Sequence, residues 1–81
     1  MTLYTPVWTD VPRSQYEALS EAARRAFDEK FELVLNDPRG VGDYDKLADQ
    51  WTTDFDSGAG FLVYIINDQT VRVVVLRVYS T

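Results

Sequence analysis

The sequence has 81 residues, of which 46 % are hydrophobic and 14 % aromatic. This length predicts one domain over residues 1–81, and the apolar content is sufficient for a packed core and argues against intrinsic disorder. There is no cysteine and no histidine, which excludes disulfides, a thiol nucleophile, an imidazole base and the usual zinc sites. We therefore expect no cofactor and no bound metal.

The formal net charge of −5 is unevenly distributed along the chain. Residues 37–68 contain seven aspartates but only two basic residues, Arg39 and Lys46. We call residues 37–68 the acidic zone. Its charge repels a phosphate backbone and attracts a basic partner, although the simpler interpretation is a solvated region that keeps a small protein soluble.

The apolar stretches of the sequence are short, and the longest cover residues 61–66 and 73–76. Neither approaches the roughly 20 residues that a helix needs to cross a bilayer. The chain does not open with a basic segment followed by an apolar one, as a secretion signal would. We expect a soluble, cytoplasmic protein that contacts no membrane.

The first half of the chain predicts a short strand followed by helix. Residues 3–8 have strand-like side chains, but Pro6 has no backbone N–H and fits only the edge, the start or a bulge of a sheet. Thr9 or Asp10 caps the following helix. Ser20 is a possible second cap, so the stretch forms one helix or two, ending before Pro38. Its apolar residues recur at three- and four-residue spacing: Tyr16, Leu19, Ala23, Ala26, Phe27, Phe31, Val34 and Leu35.

The second half predicts three strands after a turn-rich passage over residues 39–44. Residues 51–55 alternate, with Trp51, Thr53 and Phe55 on one face. Residues 57–60 form a glycine-containing reversal, and residues 67–70 join the last two strands into a hairpin. In the final strand, strict alternation places Arg77 and Tyr79 on the same face as the valines at 71, 73 and 75.

This order of elements predicts an α+β two-layer sandwich. A short N-terminal strand and a helical hairpin precede a three-stranded antiparallel meander, and the helices cover only one face of the sheet. Both faces of the last strand are apolar in the middle. The second face is therefore covered by sheet curvature, by a loop or by a partner.

Several sequence landmarks together resemble the RelE/ParE superfamily of type II toxin–antitoxin toxins. The predicted helices end in Leu35-Asn36-Asp37-Pro38, a Lys46-Leu47 step precedes the second strand, and Phe61-Leu62-Val63-Tyr64 is followed by Asn67-Asp68. The resemblance covers most of the chain and implies a RelE-like fold. It also implies a cognate antitoxin or another protein partner and, for messenger-cleaving members, the ribosome and its mRNA; direct contact with DNA is not expected.

The resemblance also implies site residues. Messenger-cleaving members use basic residues on the second and third strands, with Arg, Tyr or His near the C-terminus. Here the corresponding positions hold Thr52, Asp54 and Phe61, so the phosphate-binding charges are reduced. Arg77 resembles the arginine of the final strand and Tyr79 falls near the C-terminal His or Tyr. With Asp54 as a general base, for which Asp56 is the alternative, these two residues form the candidate catalytic set, since cleavage needs charge stabilisation and proton transfer.

Each candidate also has a purely structural interpretation. In this interpretation Arg77 extends to solvent or pairs with Asp54 or Asp56, and the Tyr79 ring packs at the sheet edge. Aspartates that flank a turn are common for conformational reasons alone. Trp51 and Tyr44 have rings suited to stacking on bases, but they lack neighbouring cations, so core or interface roles are favoured.

Three functional hypotheses follow from the sequence. The first is a toxin that cleaves ribosome-bound mRNA with a reduced active site. The second is a catalytically inactive relative that binds an antitoxin-like helix or a ParE-type protein target, as the acidic zone and the lost basic residues suggest. The third is a small structural or adaptor domain unrelated to toxins.

Overall fold

The computed structural model describes residues 3–80. These residues form a sheet and three helices, with one additional turn of 3₁₀ helix at Asp56–Gly58. The strands are β1 (Thr5–Val7), β2 (Asp43–Asp45), β3 (Gln50–Phe55), β4 (Gly60–Asn67) and β5 (Arg72–Ser80), and the helices are α1 (Asp10–Glu17), α2 (Glu21–Asn36) and α3 (Pro38–Val41).

The strands form a mixed five-stranded sheet in the order β1-β5-β4-β3-β2. Strands β2 to β5 follow one another as an antiparallel meander, and β1 lies parallel to β5 at the opposite edge. Pro6 therefore lies on an edge strand, where its missing N–H leaves no gap inside the sheet. The α+β class and the helix-then-meander order agree with the expectation from sequence.

The helical stretch consists of two helices, and Ser20 separates them as its residue type suggested. The Ser20 hydroxyl accepts a hydrogen bond from the Ala23 backbone N–H over 3.1 Å, which satisfies one of the free N–H groups at the start of α2. Helix α2 ends at Asn36, two residues before Pro38, in agreement with the restriction that proline imposes on its predecessor.

The hydrophobic core lies between the helices and one face of the sheet. Helix α2 contributes Ala23, Phe27, Phe31 and Val34, and the sheet contributes Phe55, Leu62, Tyr64, Val73, Val75 and Val78. Trp8, which follows β1, extends the aromatic part of this core, with its ring centroid 5.8 Å from that of Phe27. Among residues 3–80, no helix is long and apolar enough to cross a membrane.

Two short elements replace the turn-rich passage expected after Pro38. Helix α3 covers Pro38–Val41, with the Asp37 carboxylate accepting a hydrogen bond from the Gly40 N–H over 3.1 Å. Strand β2 then pairs with β3 and is exposed along its whole length. The meander thus has four strands where the sequence suggested three, because an exposed three-residue strand shows no apolar alternation.

A β-bulge in β5 overturns the expected assignment of faces in the last strand. Val63 pairs with Arg77, but the next residue of β4, Tyr64, pairs with Val75, so Leu76 is an extra residue on β5. The bulge reverses the alternation beyond it. Val73, Val75 and Val78 are all fully buried in the core, whereas Arg77 faces the other way, together with Tyr79.

Candidate active site on the open face of the sheet

The sheet face opposite the hydrophobic core, which we call the open face, contains all three candidate residues. Directly paired residues of neighbouring strands point to the same side of a sheet. The pairing of Asp54 with Phe61, and of Phe61 with Tyr79, places these three side chains in one row. A second row runs through Thr52, Val63 and Arg77.

The middle of the first row is an aromatic pair. The rings of Phe61 and Tyr79 lie with their centroids 5.5 Å apart and their planes inclined by 32°. Phe61 is half-buried, while 45 % of the Tyr79 surface is exposed. Two strand spacings separate Asp54 from Tyr79, about 10 Å between their backbones, and the Phe61 ring stands between them. The Phe61 ring therefore separates the Asp54 side chain from the Tyr79 ring.

Arg77 is exposed, two positions from Tyr79 on the same strand. Its guanidinium forms no ion pair or hydrogen bond with the rest of residues 3–80, so the alternative pairing with Asp54 or Asp56 does not form in the described chain. An arginine without a protein partner, beside a phenol and on an open surface, is available for an anionic ligand.

The other residues considered from sequence lie elsewhere. Trp51 packs against the core and its ring lies 5.1 Å from that of Tyr44. The Tyr44 hydroxyl donates a hydrogen bond to the Asp49 carboxylate over 2.6 Å, which raises the pKa of that phenol. Asp56 belongs to the turn after β3, where it has a positive φ of 54°. None of these residues joins the open-face rows.

A cavity of about 290 Å³ lies beside Phe61 on the open face. Asp43, Thr52, Thr53, Asp54 and Gly58 also line this cavity. Asp43 pairs with Thr52 and so continues the second row onto β2. Within residues 3–80, no three acidic side chains are close enough together to hold a metal ion.

The strongest charge contacts lie near the hairpin turn at the other end of β4. Arg39 donates a hydrogen bond to the Asp68 carboxylate over 2.9 Å, and the Tyr4 hydroxyl donates to the same group over 3.1 Å. The Arg39 hydrogen bond is the main reason that the pKa of Asp68 is lowered and that the pKa of Arg39 is raised. Arg39 is thus committed to a structural contact, remote from the candidate residues.

Comparison with known proteins identifies the fold through structure alone. No family model and no curated protein matches the sequence. The crystal structure of the RelBE2 toxin–antitoxin complex from Mycobacterium tuberculosis contains a chain that superposes with a TM-score of 0.85 and 28 % identity, over 99 % of this chain and 100 % of that one.

Two Escherichia coli structures are also similar to this chain. The isolated RelE toxin matches with a TM-score of 0.84 and 23 % identity, over 96 % of this chain and 84 % of that one. The intact RelBE toxin–antitoxin complex contains a chain that matches with a TM-score of 0.83 and 23 % identity, over 96 % of each chain. This chain has the RelE toxin fold. The fold contradicts the third hypothesis, a small domain unrelated to toxins.

The RelE fold puts the candidate residues on one surface, but two contributors to that surface were missed in the sequence. In the sequence Phe61 is part of a family landmark and lacks the charge of its counterparts, but the pattern does not predict that its ring packs on Tyr79 and lines the cavity. Asp43 falls within the predicted turn-rich passage, but in the structure it begins β2. The pairing of Phe61 with Tyr79 could have been found by counting back from the hairpin turn, except that the Leu76 bulge shifts this register by one residue.

Proposed function

We propose that this chain is the toxin-like component of a type II toxin–antitoxin module and that it acts in the cytoplasm. The likeness to RelE toxins, over nearly the whole of both chains in the RelBE2 comparison, supports this proposal. Two of the similar structures are toxin–antitoxin complexes. A cognate antitoxin is accordingly the first partner proposed for this chain.

The proposed activity is cleavage of ribosome-bound mRNA on the open face. The observation that supports it is the bulge at Leu76, which turns Arg77 and Tyr79 away from the core and onto the face that carries Asp54. Bulges are frequent beside active sites because they re-aim side chains. The same bulge buries Val78 in the core and leaves Arg77, next to it, exposed and without a partner among residues 3–80.

The chemistry assigns a part to each residue. The RNA 2′-oxygen attacks the adjacent phosphorus while the bond from phosphorus to the 5′-oxygen breaks, which leaves a 2′,3′-cyclic phosphate and a 5′-hydroxyl. Arg77 stabilises the charge on the phosphate oxygens, and Tyr79 donates its proton to the leaving 5′-oxygen. The 2′-hydroxyl proton passes to solvent. Asp54 contacts the substrate beyond the Phe61 ring, too far from Tyr79 to exchange a proton with it directly.

The test is to map messenger 5′ ends in a purified translation reaction with and without this protein. Cleavage should fall by at least about 100-fold in Arg77→Ala and in Tyr79→Phe, since a lost charge or proton donor typically has this effect. Arg72→Ala is the matched control, because Arg72 is an exposed arginine at the far end of the same strand. Equal cleavage by all three variants, or none by the folded wild type, would overturn the proposed activity.

A second candidate function is binding without catalysis. The observation in its favour is charge: among the described residues, those that line the cavity on the open face include two aspartates and no basic residue. Such a surface suits a basic segment of an antitoxin or of a ParE-type protein target better than a phosphate backbone. The test is to titrate this protein with the product of the adjacent reading frame. Binding of that product, together with no mRNA cleavage in the translation reaction, supports this function.

A further inference from the structure

The outer edge of β5 changes its neighbour part-way along the strand. Strand β1 pairs with β5 at residues 72–74, and helix α1 also packs against β5. Strand β4 pairs with β5 on the other side, along almost its whole length. Where a strand edge has no paired strand beside it, its backbone N–H groups need other acceptors.

Gln15 of α1 provides such an acceptor for Val78. The Val78 backbone N–H donates a hydrogen bond to the Gln15 side-chain oxygen Oε1 over 2.8 Å, between residues 63 positions apart in the sequence. The Val78 side chain is fully buried and Gln15 is half-buried. Because the contact is partly shielded from water, the N–H has few alternative acceptors if Gln15 is removed.

This N–H belongs to the peptide unit that joins Arg77 to Val78. A peptide unit is planar, so a hydrogen bond that fixes the direction of its N–H also fixes its carbonyl group and restricts the dihedral angles on either side. Tyr79 follows Val78 directly, and both Arg77 and Tyr79 belong to the rows of the open face. Gln15 therefore holds the backbone between the two residues proposed to act on the phosphate.

Two features make the end of β5 depend on this contact. The bulge at Leu76 interrupts the ladder with β4 immediately before Arg77, and a bulge disrupts the hydrogen bonds around it. On the side of α1, a cavity of about 400 Å³ is lined in part by Gln15, Val78 and Tyr79. The strand end therefore has room to shift towards α1, and the Gln15 hydrogen bond opposes that shift.

We infer that Gln15 is a positioning residue for the candidate catalytic pair, Arg77 and Tyr79. This inference rests on the proposed function and adds to it a residue of helix α1. Gln15 acts through the strand backbone rather than by contact with the substrate. Since a displacement of about 1 Å in a catalytic group can lower a rate by up to about 100-fold, its loss should affect the chemical step and not the binding of ribosomes.

The variants at position 15 separate the hydrogen bond from the size of the side chain. Gln15→Met removes the acceptor and keeps a similar length, whereas Gln15→Glu keeps an oxygen acceptor. In the translation reaction, Gln15→Met should lower kcat by about tenfold with an unchanged KM for ribosomes carrying mRNA. Gln15→Glu should cleave like the wild type. Ser14→Met, at an exposed neighbouring position of α1, is the matched control and should have no effect.

Amide NMR of the isolated protein measures the same contact without ribosomes. Hydrogen exchange at the Val78 amide should be about tenfold faster in Gln15→Met than in the wild type or Gln15→Glu, because its acceptor is lost. The nuclear Overhauser contact between the Phe61 and Tyr79 rings should weaken in the same variant. If Gln15→Met does not fold, Gln15→Asn takes its place in both measurements, since it withdraws the acceptor by one methylene.

Four results would overturn the inference. They are a wild-type kcat in Gln15→Met, an equal loss in Gln15→Glu, unchanged exchange at Val78, and a loss of cleavage that only follows the loss of folded protein in thermal unfolding. A wild-type protein that cleaves no mRNA refutes the proposed activity instead. The exchange and ring-contact measurements then still decide whether Gln15 positions Tyr79.

Discussion

Tyr64 is a buried polar residue that joins the sheet to the segment before β2. Its side chain is fully buried, and its hydroxyl donates a hydrogen bond to the Pro38 carbonyl oxygen over 2.6 Å. Gly42 lies against the same hydroxyl, so close that a side-chain carbon there would be 2.1 Å from the oxygen. Tyr64 thereby fixes the position of α3 and the entry into β2, the strand that carries Asp43.

We predict that Tyr64→Phe lowers the free energy of unfolding by about 1–3 kcal/mol at neutral pH. The reason is that the Pro38 carbonyl remains buried without a donor. Urea denaturation measures the change. Tyr16→Phe is the control, since the Tyr16 hydroxyl bonds to Asp28 in an exposed position, and it should cost clearly less. Equal losses in the two variants would contradict the role of burial.

Tyr64 also makes the free energy of unfolding decrease as the solution becomes alkaline. Burial, with the nearby charges of Asp37 and Asp43, raises the pKa of Tyr64 to about 12, whereas an unfolded tyrosine titrates near about 10. The unfolded state therefore loses its proton first, and stability falls as pH rises from about 10 towards 12. Tyr64→Phe lacks this dependence. Denaturation at several pH values should show that the difference in free energy of unfolding between wild type and Tyr64→Phe becomes smaller above about pH 10.

At the scale of elements, the predictable parts were those with a repeated apolar pattern or a specific terminator. Helix α2 has a four-residue apolar repeat, a serine cap and a following proline, and the β4–β5 hairpin has two long apolar runs around a turn. Strand β2 was not predictable, because its residues Asp43, Tyr44 and Asp45 are all exposed. Helix α3 depends on Asp37 capping a single turn, which composition does not reveal.

The Leu76 bulge could not be predicted from the sequence either, for a different reason. The run from Val73 to Leu76 has four apolar residues, so no polar side chain marks the position where alternation fails. The local sequence fits either register, and the choice depends on which valines fill the space under the helices. That choice also decides whether the candidate site has its arginine and tyrosine, so the fold was more predictable than the site.

We predict that Val78→Ala is more destabilising than Leu76→Ala. Strict alternation would put both residues on one face, but the bulge buries Val78 completely and leaves Leu76 half-buried. Val78→Ala should lower the free energy of unfolding by about 2 kcal/mol through lost contacts and a residual cavity. Leu76→Ala should cost less even though it removes a larger group. Chemical denaturation of the two variants measures both losses in free energy of unfolding. A larger loss in Leu76→Ala than in Val78→Ala would contradict the bulge.

At the scale of the whole molecule, one carboxylate links three distant segments. Asp68 in the β4–β5 turn accepts hydrogen bonds from Tyr4, ahead of β1, and from Arg39, in α3. The linked groups are exposed, so salt and solvent weaken their attraction. Their contribution is to hold the N-terminal segment and α3 against the same end of the sheet.

We predict that Asp68→Asn lowers the melting temperature at neutral pH and that this difference disappears in acid. The pKa of Asp68 is lowered in the folded state, chiefly by the hydrogen bond from Arg39. Its contribution is therefore complete above the unfolded pKa of about 4 and is lost as pH falls through the folded value. Thermal unfolding measures this, with the exposed Glu29→Gln as control. A difference that persists in strong acid would contradict the argument.

The parallel pairing of β1 with β5 has a consequence for how the protein is made. The first strand of the described chain pairs with the last one, so β1 leaves the ribosome long before its partner exists. The core valines of β5 arrive equally late. A nascent chain that stops short of β5 has neither a complete sheet nor a complete core, and such long-range pairing forms slowly. The proposed toxin activity is then absent from unfinished chains, and it begins only after synthesis has passed the bulge and Tyr79.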